Sequence, residues 1–215
     1  MLLKIEDKNL LEISNLYCKS LEKDILNIIR KNNLTDRMEG FFKSETNLHI
    51  HRVSDFACFI AQKLSLSSSL IRTISKVAPL HDFGKLKIDI DILIKPSKLT
   101  VEEFEIIKTH SQIGHDLLSG SGNKTLDLAA LVALEHHEKW NGKGYPNGFS
   151  GCNIHLISRI VAVADVLDSL ISDRCYKKGW EKEKVRKFFR EQRGEQFDPY
   201  IVDIVLENFD WFFRD

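Results

Sequence analysis

Glu45, His49, the pair His81-Asp82, His110, the pair His136-His137 and Asp165 lie along the chain in short, separate clusters of histidine and acid. From His49 to His81, His110, His136 and Asp165 each step is about thirty residues, the length of one helical hairpin. Neutral imidazole and ionised carboxylate are the ligands that borderline divalent metals such as iron, manganese and zinc prefer. Eight such groups are too many for one ion and suit a cluster of about two or three. A cluster of that kind activates water and clamps phosphate oxygens, so the pattern reads first as a metal-dependent hydrolase.

The elements that must position these groups are helical. Leu10, Ile13, Tyr17, Leu21, Ile25 and Ile28 recur at three- and four-residue steps and predict an amphipathic helix ending near Lys31-Asn32-Asn33. Further helices are expected over about 46–64, 70–80, 101–119, 126–139, 158–172, 181–190 and 199–213. Ser68-Ser69 and Thr100 stand where N-caps belong, and Glu103 three residues after Thr100 completes a capping box. The glycine-rich stretch Asn141–Ile154 has to be a loop. No alternation points to a strand, so the expected class is all-α. A soft boundary near residues 32–40 divides an N-terminal helical appendage (1–40) from the ligand-bearing domain (41–215). That appendage either senses or dimerises, or packs its stripe on the main bundle.

Read locally, the clusters differ in weight. Glu45 and His49, four apart, share a helix face, as a surface Glu-His pair also would. His81-Asp82 opens HDxGK after an apolar run, where the two oxygens of an aspartate suit bridging two ions and Lys85 offers a charge to phosphate. His110 by itself is as ordinary as any structural histidine. His136-His137, at the end of an apolar helix, need partners if buried, and Asp165 interrupts the apolar stretch Ile160–Leu167, where a lone carboxylate is costly. Their joint occurrence carries the reading. His51, His115 and His155 fall outside the spaced clusters and are read as non-ligands.

Composition narrows the classes. The chain has 215 residues, 43% apolar and 29% charged, which fits one substantial globular core. A formal net charge of zero gives no electrostatic case for a nucleic-acid polymer or an acidic membrane, though a small anion needs only a local basic patch. Cys18, Cys58, Cys152 and Cys175 form no CxxC pair, so neither a disulfide framework nor a thiolate zinc site is expected. Acidic residues come too early in MLLKIEDKNL for a signal peptide, and no apolar run approaches bilayer length. A soluble, cytoplasmic chain is the expectation.

Together the motifs ETNLHIHRV, PLHDFGKLKI, ILIKPSKLT, IKTHSQIG, EHHEKWNGKGYPNG, RIVAVADVLDSL, SDRCYKKGW and GEQFDP, spread over 45–199, resemble the HD-GYP family of HD-domain metal-dependent phosphohydrolases. Gly144-Tyr145-Pro146 is the tripeptide of that name. The resemblance implies a helical bundle of the HD type with a buried multinuclear site that hydrolyses a cyclic dinucleotide, usually cyclic di-GMP. It implies Glu45, His49, His81, Asp82, His110, His136, His137 and Asp165 as metal ligands, with iron favoured over manganese. The glutamate at Glu45 points to three ions rather than two.

By the same resemblance Asp82 and Lys85 serve catalysis, and Lys85, Tyr145, Arg174 and Lys177 contact substrate. The expected chemistry is in-line attack on phosphorus by a hydroxide bridging two metals, giving pGpG first, from which a second cut could give GMP. Asn141, Asn47, Cys175 and His155 depart from the family's usual Asp, Gly, Pro and Pro. They leave the ligands intact and alter the substrate loops. Two alternatives therefore stand beside cyclic di-GMP hydrolysis: action on another cyclic dinucleotide such as cyclic GMP-AMP, and a non-catalytic sensor or scaffold. A homodimer or a signalling partner through the N-terminal helix is the remaining expectation.

Overall fold

The computed structural model describes residues 19–44, 46–173 and 178–214. In chain order these form α1 (Lys19–Lys31), α2 (Met38–Ser44), α3 (Asn47–Lys63), α4 (Ser68–Val77), α5 (Ile90–Leu93), α6 (Val101–Lys108), α7 (His110–Leu118), α8 (Lys124–Glu135), α9 (Leu156–Ile171), α10 (Lys182–Gln192) and α11 (Pro199–Glu207). Short 3-10 turns lie at Ala78–Leu80, Phe83–Lys87 and Phe209–Phe213, among others. The described residues hold no strand, only isolated bridges at Asn141–Ser150 and Arg193–Phe197. The class is all-α. No helix among them is long and apolar enough to cross a membrane.

α9 is the axis of the bundle. Ile157, Ile160, Val161, Val163, Ala164 and Leu167 are buried on several of its faces, the mark of a helix enclosed by others. It packs on α3 and α8, α3 packs on α4, and α7 lies along α8. Each fully buried Leu or Ile in this core contributes about 1.5–3 kcal/mol relative to exposure. Leu21, Ile25 and Ile29 of α1 join the same core as Ile50 and Val53 of α3. α1 stops as expected, with Asn33 at φ 55° and the Asn32 amide donating to Ile28 O. Leu10, Ile13 and Tyr17 of the expected stripe lie outside the described residues. At the other end Trp211 stacks on Phe59 with ring centroids 3.7 Å apart, which fastens the C-terminal turn to α3.

Several expected boundaries are corrected, each for a local reason. The cap of α4 is Ser67, whose hydroxyl accepts from Leu70 N, and Ser68 and Ser69 already belong to the helix. α4 ends at Val77, because Ala78 precedes Pro79 and the chain tightens into a 3-10 turn. The single helix expected over 101–119 is two. At Thr109 the backbone N–H turns to Ile106 O and the hydroxyl donates to the same carbonyl, 2.6 Å away, so α6 ends there and α7 starts at His110. α8 stops at Glu135, which puts His136-His137 just beyond the helix rather than on it. The Thr100–Glu103 capping box is present with both hydrogen bonds.

Candidate metal centre

Four histidines of the centre, His49, His81, His110 and His136, are each aimed by a hydrogen bond from the far nitrogen. His49 stands in the first turn of α3, where Thr46 caps the helix by accepting from His49 N. Its Nδ1 donates to Asp168 Oδ2 at 2.6 Å. His81 Nδ1 donates to Ala78 O at 2.8 Å, His110 Nδ1 to Ile107 O at 2.7 Å, and His136 Nδ1 to Ala133 O at 2.9 Å. Carbonyl and carboxylate oxygens only accept, so Nδ1 carries the proton in each ring, and in the neutral ring the Nε2 lone pair faces inward.

Those inward nitrogens converge on carboxylates. His110 Nε2 lies 3.1 Å and His136 Nε2 3.6 Å from Asp82 Oδ1. His81 Nε2 lies 3.1 Å from Asp82 Oδ2, and His49 Nε2 lies 3.5 Å from Asp165 Oδ1. Two groups of donors result: Asp82, His110, His136 and His137, and beside them His49, His81 and Asp165. Asp82 faces both, one oxygen toward each. The buried Asp82 Oδ1 has no hydrogen-bond donor, and His110 Nε2 and His136 Nε2 face each other at 3.2 Å. Opposed lone pairs beside a carboxylate oxygen repel unless a cation lies among them. The donor set therefore fits divalent ions, and seven of the eight expected ligands fall in the two groups. Glu45 lies outside the described residues.

The protonation states agree with that chemistry. Burial opposes charge on Asp82, but its neighbours, the Lys85 ammonium first among them, more than reverse it, holding the carboxyl well below its usual range. Burial lowers His136 and His137, which keeps both rings neutral and able to bind metal. Lys85 Nζ sits 2.7 Å from Asp82 Oδ2. The Tyr145 ring packs 4.7 Å from that of His137, and burial pushes its phenol up, so it stays a hydrogen-bond donor. Arg174 and Lys177 lie outside the described residues. His115 pairs with Asp116, His155 Nδ1 accepts from Ile157 N, and neither belongs to the two groups.

Two carboxylates that the spacing did not single out hold the centre in place. Asp168, 1% exposed, takes the His49 Nδ1 proton donor and pairs with the Arg52 guanidinium, which also reaches Ser172. Its signal was a second acid in the apolar helix of RIVAVADVLDSL, three residues after Asp165. Glu138 Oε1 accepts from Asn147 N and Gly148 N and so pins the loop that carries Tyr145. Asp168→Asn is expected to lower metal affinity about 10–100-fold by loosening the His49 ring. A competitive metal titration at unchanged circular dichroism measures it, and wild-type affinity would show that His49 needs no such support.

The HD domain family matches residues 28–201. The chain is 46% identical over 161 residues to the "Cyclic di-GMP phosphodiesterase response regulator RpfG" of Xanthomonas campestris, covering 75% of this chain and 43% of that protein. It is 38% identical over 180 residues to the "3'3'-cGAMP-specific phosphodiesterase 2" of Vibrio cholerae, covering 84% and 34%. The chain thus spans less than half the length of these relatives. Among solved structures it is similar to Bd1817, an HDG"Y"P protein from Bdellovibrio bacteriovorus, with a TM-score of 0.64 at 16% identity over 96% of this chain and 70% of that one, a likeness of fold. With the motifs, the matched residues and these relatives together, the chain belongs to the HD-domain family, in its HD-GYP branch.

Proposed function

We propose that this chain is a metal-dependent phosphodiesterase that hydrolyses cyclic di-GMP to pGpG, and pGpG onward to GMP. The observation that carries the reading is Asp82, which turns one buried oxygen toward each of two adjacent donor groups with the Lys85 cation beside it. Glu45, His49, His81, Asp82, His110, His136, His137 and Asp165 would hold two or three ions. A donor set of nitrogen and oxygen without thiolate favours iron, with manganese next. When bound, such ions supply Lewis acidity, making water nucleophilic near neutral pH and neutralising charge on phosphate oxygens.

The chain's own groups do the rest. Lys85 offsets charge on a non-bridging oxygen of the phosphate under attack. Tyr145, held neutral, donates a hydrogen bond at the mouth of the centre, and Glu138 holds its loop. Arg174 and Lys177 bind the second phosphate or a guanine edge. Relatives named for cyclic di-GMP include the Xanthomonas protein and, at 40% identity, one from Thermotoga maritima. The Vibrio relative named for 3'3'-cGAMP supports the mixed dinucleotide as the second reading.

The test is anaerobic purification, iron loading, elemental analysis, and incubation with cyclic di-GMP, cyclic GMP-AMP and cyclic di-AMP followed by chromatography. About two or three metals per chain and release of pGpG are expected. One metal or fewer after reconstitution overturns the cluster. Tight binding of cyclic di-GMP with no cleavage turns the reading into that of a sensor.

A further inference from the structure

Outside the donor groups, the same segment that delivers His110 presents a second feature to solvent. Val101, Phe104 and Lys108 follow one another at three and four residues on α6 and so share a face of that helix. Phe104 is 46% exposed, an aromatic ring left partly in water. Lys108 Nζ lies 5.2 Å from the centroid of Phe104 and 5.6 Å from that of Tyr145. Tyr145 in turn packs on His137. The sequence His137, Tyr145, Lys108, Phe104 is therefore a continuous path from the buried donors to the surface. Its first step is a ring, its second a cation, and its last an open aromatic face.

An aromatic face next to an ammonium matches one chemical class well, a purine base. The π-face stacks on the ring, and the cation donates to the base edge. The edge decides which purine. Guanine offers two acceptors there, O6 and N7, whereas adenine replaces O6 by an amino donor that a lysine cannot satisfy. Lys108 pairs with Glu105, 2.6 Å away and largely exposed, and solvent-exposed pairs of this kind are weak enough to exchange for a ligand.

We infer that Phe104 and Lys108 form a subsite for one base of the cyclic dinucleotide, with Phe104 stacking the base and Lys108 selecting guanine over adenine. The inference rests on the proposed function, and it assigns a specificity-determining residue which the motif resemblance did not. The subsite sits beyond Tyr145 as seen from the donors, so it acts on binding of the intact substrate rather than on the bond that breaks.

Steady-state kinetics of the iron-loaded protein test it with Phe104→Ala, Lys108→Met and Lys108→Arg on cyclic di-GMP and cyclic di-AMP. Phe104→Ala is expected to raise KM for cyclic di-GMP about tenfold, the effect of losing one base stack, with kcat changed by less than about twofold. Lys108→Met is expected to cut the kcat/KM preference for the guanine nucleotide about tenfold, and Lys108→Arg to keep it. Both substituted positions are at or near the surface, and circular dichroism checks that the variants fold. An unchanged KM in Phe104→Ala, or an unchanged preference in Lys108→Met, overturns the subsite and leaves an ordinary surface cation–aromatic contact. If the unaltered protein cleaves neither nucleotide, the proposed activity falls separately. Calorimetric Kd values for the same variants then decide the subsite, and failure of the unaltered protein to bind either nucleotide overturns it too.

Discussion

Asp82→Ala is expected to abolish hydrolysis, with a loss of more than about a thousandfold, and to leave the protein nearly free of metal. Asp82 turns one carboxylate oxygen toward each donor group. Its Oδ1 faces His110 and His136 at 3.1 and 3.6 Å, and its Oδ2 faces His81 at 3.1 Å and Lys85 at 2.7 Å. Truncation removes the one anion between three imidazoles and an ammonium, all close to buried. What remains beside His110, His136 and His137 is no carboxylate but the Lys85 ammonium, with Asp165 left as the anion of the neighbouring group. Asp82→Asn separates shape from charge, since it keeps the volume and one acceptor oxygen and loses the anion. If charge is what matters, the two variants lose metal alike. Lys85→Ala should behave differently, keeping its metal and losing rate, because its ammonium balances Asp82 without offering a lone pair. Elemental analysis beside the rate assay reads all three. Full turnover and normal metal content in Asp82→Ala would sink the centre as drawn.

The parts of this centre that were legible in the sequence are those where chemistry contradicts its surroundings. A histidine pair after an apolar helix and an aspartate inside Ile160–Leu167 cannot be buried without partners, so they announce a site even before the fold is known. Asp168 carries the same contradiction, yet its partner His49 is 119 residues away, and no local spacing connects them. The short helices at Met38–Ser44 and Ile90–Leu93 were not legible either. Seven and four residues do not sustain a helix by propensity; Met38–Ser44 packs on the turn at Phe83–Lys87 and on Ile90–Leu93, which packs in turn on α6. The break at Thr109 had a visible agent, a threonine able to bond back to its own helix, but the same residue is tolerated in many unbroken helices. What tips it here is tertiary. His110 has to begin a new helix at the place that brings its Nε2 to Asp82.

That placement depends on a contact between two backbones, and Gly84→Ala is expected to destroy it. A methyl group at Gly84 would stand 1.9 Å from His110 O and 2.5 Å from Gly114 N. Neither obstacle is a side chain that can rotate away. Both are main-chain atoms of α7, so either the helix or the turn at Phe83–Lys87 has to shift. Gly114 answers Gly84 from the other side, its own Cβ position lying 3.2 Å from Gly84 N, and the two glycines together let the HD turn lie flat on the helix. Overpacking a core without relief costs about 1–3 kcal/mol, and a backbone obstacle belongs at or beyond the upper end. For a chain of this length that corresponds to a fall in Tm of roughly 6–12 °C. The loss of activity should be larger than the loss of stability implies. Moving α7 by about an ångström moves His110 away from Asp82, and misplacements of that size cost about a hundredfold in rate. Gly120→Ala is the control, because open space surrounds that position and only its φ of +71° is strained, a cost of about 1–2 kcal/mol far from the donors. Thermal unfolding and single-turnover rates of the two variants separate the effects. A Gly84→Ala protein that melts with the control and retains its rate would mean that the HD turn and α7 do not need this approach to hold His110 and Asp82 together.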